Sequence, residues 1–260
     1  MDTSWNKVAK WYDSHLKGDV KKETYHEAII IPKLLKLIRE YVKRGSKIVD
    51  LACGQGKVTQ EIAASDYVVS GIDLAPELIK LAKENTKGSG IEFIVDDASA
   101  LKLETIKKIG HADAVTITLA IQNIQNLDGL FININKILKP QGYVFIVMNH
   151  PYFRVPKQTS WGFEGSVSQY RRVDAYISEK KIPIEMTPGE IANKGKSKLT
   201  WSFHRPLEKY IKTMRDNGLV LVDMEEWISN KVSEPGKRAR AEDTARKEIP
   251  MFMAMGIVKK

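Results

Sequence analysis

The sequence has little cysteine and no long apolar segment. Its single cysteine, Cys53, cannot form an internal disulfide, which excludes the disulfide-stabilised secreted domains and predicts a reducing, cytoplasmic compartment. No run reaches about 18 apolar residues, so we expect no transmembrane helix. The first residues lack the apolar core of a signal peptide, and no internal repeat or low-complexity segment is visible.

Acidic residues are scarcer than basic ones. Lys and Arg number 41 against 32 Asp and Glu, which gives a net charge of +9. Such an excess is typical of a nucleic-acid partner, an anionic small substrate or simply a lysine-rich surface. A nucleic-acid footprint should cluster on one face, whereas the lysines here are scattered and the densest basic stretch is Lys237-Arg238-Ala239-Arg240. The pattern therefore favours a lysine-rich surface, with nucleic acid as the less favoured partner.

A regular alternation of strands and helices runs through most of the chain. A first helix is predicted over residues 21–44, where apolar side chains recur at helical spacing and Gly45 marks the end. The predicted strands are 47–53, 67–73, 91–97, 112–120 and 142–149, and later 198–203, 219–227 and 250–260. Helices are predicted at 57–63 and 75–86, after the fourth strand through Leu130, Ile134 and Ile137, and again at 206–218. This order predicts an α/β fold with a doubly wound, mostly parallel sheet and helices on both faces.

Glycines and acids follow the first three strands. Gly54 and Gly56 come after the first strand, Asp73 ends the second, 19 residues beyond Gly54 (73 − 54), and Asp96-Asp97-Ala98 ends the third. Ligands of such sheets bind at the carboxyl ends of the strands, and an acid about 20 residues beyond the glycine loop holds a ribose hydroxyl. Each feature alone is equally consistent with a tight turn or a helix cap. All three at successive strand ends favour an adenosine ligand.

Four segments resemble the class I S-adenosylmethionine-dependent methyltransferases: VDLACGQG, GIDLAPELIKLAKE, DDASAL and ILKPQGYVFI. The likeness is closest to the small-molecule, type 11 branch that includes the ubiquinone and menaquinone C-methyltransferases. The third glycine of the dehydrogenase fingerprint is replaced here by Thr59, which argues against an NAD enzyme. The resemblance implies a Rossmann-like sheet of seven strands, with the last strand antiparallel between the fifth and sixth. One departure is Ala52, where the family motif commonly has glycine.

The resemblance also implies a set of S-adenosylmethionine contacts. Asp50 and Gly54 would line the methionine moiety, Gly56 would shape the loop, and Asp73 would bind the ribose hydroxyls. Asp97 would contact the adenine amino group. The other cofactor-binding residues that it implies are Ala52, Leu74, Asp96, Ala98, Leu119 and Tyr12, the last in an N-terminal lid over residues 1–20 that also contains Trp11.

Asn149-His150-Pro151-Tyr152 differs by one residue from Asn-Pro-Pro-Tyr, the tetrapeptide of methyltransferases that act on adenine amino groups. In those enzymes the tetrapeptide follows the fourth strand, whereas here it follows the fifth. His150 also replaces the first proline. We therefore interpret the likeness as coincidental, although Asn149 and His150 are still expected at the ligand edge of the sheet.

A connection of about fifty residues, far longer than is usual, separates the predicted core (21–149) from the C-terminal part of the core sheet (198–260). This insertion, 150–197, is predicted to form a cap over the acceptor, because its aromatic content argues against disorder. The alternative is a satellite core with solvated arginines. Predicted acceptor contacts are Asn149, Tyr170, Arg171, Arg172 and Arg205.

Three histidines are candidates for a general base: His204, His150 and His15. His204 is favoured because it follows a strand at the end of the insertion, although a helix-capping role is equally open. No cluster of metal-ligating residues is visible in the sequence. We expect a methyltransferase for a small, anionic acceptor at oxygen or nitrogen rather than carbon. The alternatives are an RNA methyltransferase and a non-catalytic binding module.

Overall fold

The computed structural model describes residues 5–9, 23–186 and 199–260. Its strands are β1 Lys47–Leu51, β2 Val68–Asp73, β3 Glu92–Val95, β4 Ala112–Thr118, β5 Leu138–Asn149, β6 Thr159–Glu164, β7 Ser168–Val173, β8 Lys180–Glu185, β9 Leu199–His204, β10 Leu219–Trp227 and β11 Phe252–Lys259. Its α-helices are α1 Ile31–Tyr41, α2 Lys57–Ala64, α3 Pro76–Asn85, α4 Leu103–Ile109, α5 Leu127–Ile137, α6 Leu207–Asp216 and α7 Ala239–Glu248. Within these ranges, no helix combines the length and apolar character needed to cross a membrane.

Seven strands form one sheet in the order β10-β11-β5-β4-β1-β2-β3. Neighbouring strands among β1 to β5 pair in parallel, and β11 pairs antiparallel with both β5 and β10. The predicted fold class is therefore confirmed, including the antiparallel last strand between the fifth and sixth.

The two faces of the sheet bury separate apolar clusters. Alternation along a strand sends neighbouring side chains to opposite faces, so Val115 and Ile146 join the cluster covered by α5 and α6. Ala114 and Phe145 join the cluster covered by α1 and α2. Because both faces are covered, the strands read as continuous apolar runs. That pattern is why most of them could be predicted.

The predicted helix over 21–44 is shorter in the structure and begins differently. A π-helical turn, His26–Ile30, leads into α1, and Val42 is already extended. Two helices, α4 and α7, were not predicted. The first has seven residues, and the second buries only Ala241 and Ala245, so neither carries a long apolar stripe.

Two antiparallel strand pairs lie outside the main sheet: β6–β7 within the insertion, and β8 of the insertion with β9, which follows it. The prediction of a strand at 198–203 is confirmed, but its assignment to the core sheet is wrong, because β9 pairs antiparallel with β8. Strand alternation is visible in a sequence, whereas the pairing partner is not. The predicted lid falls mostly outside the described residues, and with it Trp11, Tyr12 and His15.

Candidate functional site

One cavity of about 580 Å³ opens at the carboxyl ends of β1 to β4 and extends to the β8–β9 hairpin. Its volume is in the usual range for small-molecule sites. Predicted cofactor residues that line it are Ala52, Gly54, Asp73, Leu74, Asp96, Asp97, Ala98 and Leu119. Other lining residues include Trp5, Thr118, Asn123, Gln125, Lys181, Trp201 and Phe203. The structure thus brings together eight of the eleven predicted cofactor contacts.

Two lining residues other than glycine have left-handed backbone conformations. Ala52, just after β1, has φ 55°, and Leu119, just after β4, has φ 53°. A non-glycine residue in this region costs about 1–3 kcal/mol. These two strained residues lie where two strands end at the cavity, a placement that is common at binding sites.

Asp73 connects the ends of the first two strands. Its Oδ2 accepts a hydrogen bond from the Gly54 N–H at 2.9 Å, and its Oδ1 accepts one from the Ala75 N–H at 2.8 Å. Burial raises the pKa of Asp73, and the N–H donors partly offset that rise. Each carboxylate oxygen can accept a further hydrogen bond, so Asp73 can hold the turn and still bind a hydroxyl.

Asp96 and Asp97 have different local roles. Both Asp96 oxygens accept backbone hydrogen bonds, from Asp97 N–H at 2.9 Å and Lys102 N–H at 3.0 Å. Asp97 Oδ1 accepts from both the N–H and the hydroxyl of Ser99, each at 2.8 Å. Asp96 therefore stabilises the turn, and Asp97 is the half-buried carboxylate better placed for a ligand.

Asp50 and Gly56 lie outside the lining of the main cavity. Asp50 borders a small adjoining cavity of about 40 Å³ and accepts hydrogen bonds from Thr59 Oγ1 at 2.6 Å and Thr116 Oγ1 at 2.8 Å. Burial raises the pKa of Asp50 to about 6. Gly56 precedes α2 with φ 81°, and a Cβ there would lie 3.0 Å from the Phe93 ring. Gly56 is therefore needed for the backbone conformation of the loop and for its close approach to Phe93.

The Thr118 side chain was not predicted as a site residue. It ends β4 and borders both cavities, and its buried Oγ1 has no hydrogen-bond partner among the described residues. A buried, unpaired hydroxyl is costly, which suggests that a ligand supplies the missing partner. The lining set of carboxylates, glycine backbone and hydroxyl fits the amino, hydroxyl and carboxylate groups of S-adenosylmethionine.

The hairpin side of the cavity presents aromatic rings and an ammonium group. The Nζ of Lys181 lies 4.4 Å from the centre of the Trp201 ring and 5.8 Å from that of Phe203. Trp201 and Phe203 share one face of β9, since side chains alternate along a strand. Sequence reasoning missed Trp201 and Phe203 because it placed this strand in the core, and it missed Lys181 because the pairing of β8 with β9 is not visible in a sequence. The alternation of the two aromatics was the signal available.

The predicted acceptor contacts of the insertion lie elsewhere. Arg171 donates to Phe153 O at 2.8 Å and Thr159 Oγ1 at 2.6 Å, and stacks on Trp161. The exposed Arg172 forms an ion pair with Asp174. Tyr170 is half exposed and packs against Gly162. None of the three lines the cavity, so their prediction as acceptor contacts finds no support in the geometry.

Asn149 and Arg205 also have structural partners. The Asn149 side chain is exposed, and its carbonyl accepts from Gln122 Nε2 at 3.2 Å. Arg205 is buried and donates to the carbonyls of Ile124 and Gln125 at 2.9 and 2.6 Å. Arg205 therefore fixes the loop after β4 and does not face the cavity as an acceptor-binding group.

Neither described histidine candidate lines the cavity. His204 Nε2 donates to the Tyr176 carbonyl at 2.6 Å, and its side chain is on the opposite face of β9 from Phe203. His150 Nε2 donates to Glu226 Oε1 at 2.8 Å, while its Nδ1 accepts from Tyr152 N–H at 3.3 Å. Burial lowers the pKa of both imidazoles. The geometry does not favour the base role predicted for them, because both rings make hydrogen bonds within the fold and neither lines the cavity.

Within the described ranges, no group of three or more His, Cys, Asp and Glu side chains could hold a metal ion.

Comparison with known proteins places the cavity in a family context. A methyltransferase-domain model matches residues 49–146. The chain is 24% identical over 215 residues to an uncharacterized methyltransferase of Emericella nidulans, covering 73% of this chain and 71% of that one. It is 30% identical over 104 residues to a ubiquinone biosynthesis O-methyltransferase of Xanthomonas axonopodis, with 39% and 42% covered. The match thus spans less than half the length of the Xanthomonas enzyme.

The fold recurs in solved structures. An S-adenosylmethionine-dependent methyltransferase of Mesorhizobium loti superposes with a TM-score of 0.64 at 20% identity, covering 87% of this chain and 96% of that one.

Proposed function

The chain belongs to the class I S-adenosylmethionine-dependent methyltransferases, and we propose that it transfers a methyl group from S-adenosylmethionine to a small-molecule acceptor, at oxygen or nitrogen rather than carbon. The observation that carries this proposal is the continuity of one cavity from the strand ends to the β8–β9 hairpin. One end offers groups suited to adenosine and methionine. The other offers aromatic surface for a second molecule.

We assign roles to the lining residues from their positions. Asp73 would bind the ribose hydroxyls and Asp97 the adenine amino group. The backbone at Gly54 and the Thr118 hydroxyl would hold the methionine end, with Asp50 as a buried negative charge beneath it. When bound, S-adenosylmethionine supplies an electrophilic methyl group on a sulfonium. The residues themselves align the acceptor and exclude water, which is the main contribution needed for an in-line displacement.

RNA is the second candidate acceptor, and the net charge of +9 is the observation that favours it. The geometry favours the small molecule, because the cavity's volume of about 580 Å³ is in the range of small-molecule sites. RNA retention by electrostatic contacts should fall steeply as salt is raised.

A labelled-methyl assay tests the proposal. Purified protein would be incubated with methyl-labelled S-adenosylmethionine and, separately, with a small-molecule extract and with total RNA. The proposal predicts label in a low-mass product and none in RNA. Label in RNA alone would replace the proposal with the second candidate. Calorimetric binding of S-adenosylmethionine without any transfer would support a non-catalytic binding module.

A further inference from the structure

The charged residues around the cavity are segregated by sign. Three of them, Asp73, Asp96 and Asp97, follow the strand ends, and the fourth, Lys181, lies on β8. The three carboxylates accept backbone N–H groups and belong to the part of the cavity assigned to the cofactor. Among the residues that the structure describes, an acceptor on the hairpin side therefore meets one formal charge, the ammonium of Lys181. A cationic acceptor would be repelled there and an anionic one attracted.

Lys181 has no acidic partner in the described parts of the chain. No carboxylate there lies within ion-pair distance of its Nζ. The ammonium instead lies over the rings of Trp201 and Phe203. Aromatic faces attract a cation but leave the N–H donors of an ammonium available to an oxygen. The same two rings offer flat apolar surface, since Trp201 and Phe203 both border the cavity. A planar molecule with a negative charge suits this pair of features.

Apart from Lys181, whose ammonium is the charge described above, the described lining residues include no group that could act as a general base on the hairpin side. They contain no histidine, tyrosine, cysteine or glutamate, and His150 and His204 are held by Glu226 and the Tyr176 carbonyl outside the cavity. A neutral hydroxyl acceptor needs a positioned base to remove its proton. An acceptor that enters already ionised does not.

We infer that the acceptor is a planar molecule whose nucleophile is an oxyanion conjugated to its ring system, and that Lys181 binds this charge. The inference rests on the proposed function and narrows it to O-methylation of a carboxylate or of an acidic hydroxyl. A lone pair of the acceptor oxygen forms the new O–CH₃ bond, the S–CH₃ bond breaks, and its electron pair stays on sulfur. No proton moves. The anion and the sulfonium become two uncharged groups, so the product loses its attraction to Lys181.

Charge-based fractionation tests the acceptor class without knowledge of its identity. A small-molecule extract would be passed over an anion exchanger at pH 9, and the bound and unbound fractions assayed with methyl-labelled S-adenosylmethionine. We expect acceptor activity in the bound fraction, with a labelled product that binds the exchanger less well. Acceptor activity confined to the unbound fraction, or a labelled amine product, would overturn the inference and leave the proposed function standing.

Variants at two neighbouring positions of β8 test whether Lys181 binds the acceptor. With the active fraction as acceptor, Lys181→Met should raise KM about tenfold, and Lys181→Arg should restore most of it because the charge is kept. Lys180→Met is the matched control. Its side chain bonds Gln158 and does not line the cavity, so KM should stay near wild type.

A binding measurement separates failure of this inference from failure of the proposed function. Calorimetry of S-adenosylhomocysteine with Lys181→Met should give the wild-type affinity. Benzoate added to the wild-type S-adenosylhomocysteine complex should bind in calorimetry, and Lys181→Met should weaken that binding. Benzamide, which has no charge, should bind equally to the wild-type protein and to Lys181→Met. Equal effects of Lys180→Met and Lys181→Met, or equal affinity for benzoate and benzamide, would overturn the role of Lys181. If the wild-type protein does not bind S-adenosylhomocysteine, the proposed function itself is overturned.

Discussion

The Asp73 carboxylate accepts a hydrogen bond from the Gly54 N–H at 2.9 Å, so the acid at the end of β2 holds the glycine loop that follows β1. The same side chain is bonded to the Ala75 N–H. The two alternatives open at the sequence level, a structural cap and a ligand group, are therefore compatible in one residue.

Asp73→Ala should weaken S-adenosylmethionine binding by about 10- to 100-fold, because hydrogen bonds to a charged group are worth about 1.5–3 kcal/mol. Calorimetry measures the change. Asp66→Ala is the control, since Asp66 pairs with Arg44 on the surface and should leave affinity unaltered. Unchanged affinity in Asp73→Ala would remove the ribose assignment.

Thr118→Val should have opposite effects on stability and binding. Removal of a buried, unpartnered hydroxyl should raise the free energy of unfolding by about 1 kcal/mol, while the affinity for S-adenosylmethionine falls severalfold. Urea denaturation and calorimetry measure the two quantities. A loss of stability together with intact affinity would show that the hydroxyl serves the fold.

Ala52→Gly should stabilise the chain. Relief of the left-handed conformation at φ 55° gains about 1–3 kcal/mol, and glycine's greater freedom in the unfolded chain costs about 0.4–1 kcal/mol. We expect a net gain of about 1 kcal/mol in urea denaturation. Ala63→Gly within α2 is the control and should cost about 1 kcal/mol. A destabilised Ala52→Gly protein would contradict the assignment of strain.

The buried Asp50 carboxylate should make stability depend on pH. Its pKa in the folded chain, about 6, is above its ordinary value of 3.8. A raised acid pKa contributes stability below the unfolded value that is lost as pH rises through the folded value. At about 1.4 kcal/mol per pKa unit, wild type should lose up to about 3 kcal/mol relative to Asp50→Asn as the pH rises from the unfolded pKa of 3.8 to the folded pKa of about 6. Parallel pH profiles of unfolding free energy for the two proteins would rule this out.

His204→Gln should keep kcat within about threefold of wild type, because the His204 ring donates to the Tyr176 carbonyl and does not reach the cavity. Loss of that buried hydrogen bond should lower the free energy of unfolding by about 1–3 kcal/mol. Steady-state kinetics and urea denaturation test both statements. A hundredfold fall in kcat, with the loss of a limb in the pH profile, would restore the base role.

The strand-end side of the cavity could be predicted from the sequence, whereas the hairpin side could not. Buried parallel strands appear as apolar runs, and loops at their carboxyl ends converge by topology alone, so Gly54, Asp73 and Asp97 were placed together correctly. Arg171 and Lys181 are both basic residues on strands of the insertion. Which hairpin packs over the cavity depends on pairings such as Lys181 with Phe203, and no local pattern encodes them.

The residue roles were harder to predict than the residue positions. His204 and Arg205 follow the insertion, as expected. Both side chains donate to backbone carbonyls and do not line the cavity. A single sequence does not show which polar partner such a side chain will find. Thr118 is the opposite case. Its Oγ1 finds no partner among the described residues, and only the structure shows this.

A crystal structure with S-adenosylhomocysteine would test the central claim, that this cavity is the methyl-transfer site, most directly. The account predicts ribose hydroxyls within about 3.2 Å of the Asp73 carboxylate, adenine beside Asp97, and the sulfur atom facing Trp201 and Phe203. Binding at another place, or a sulfur atom directed away from the β8–β9 hairpin, would contradict it.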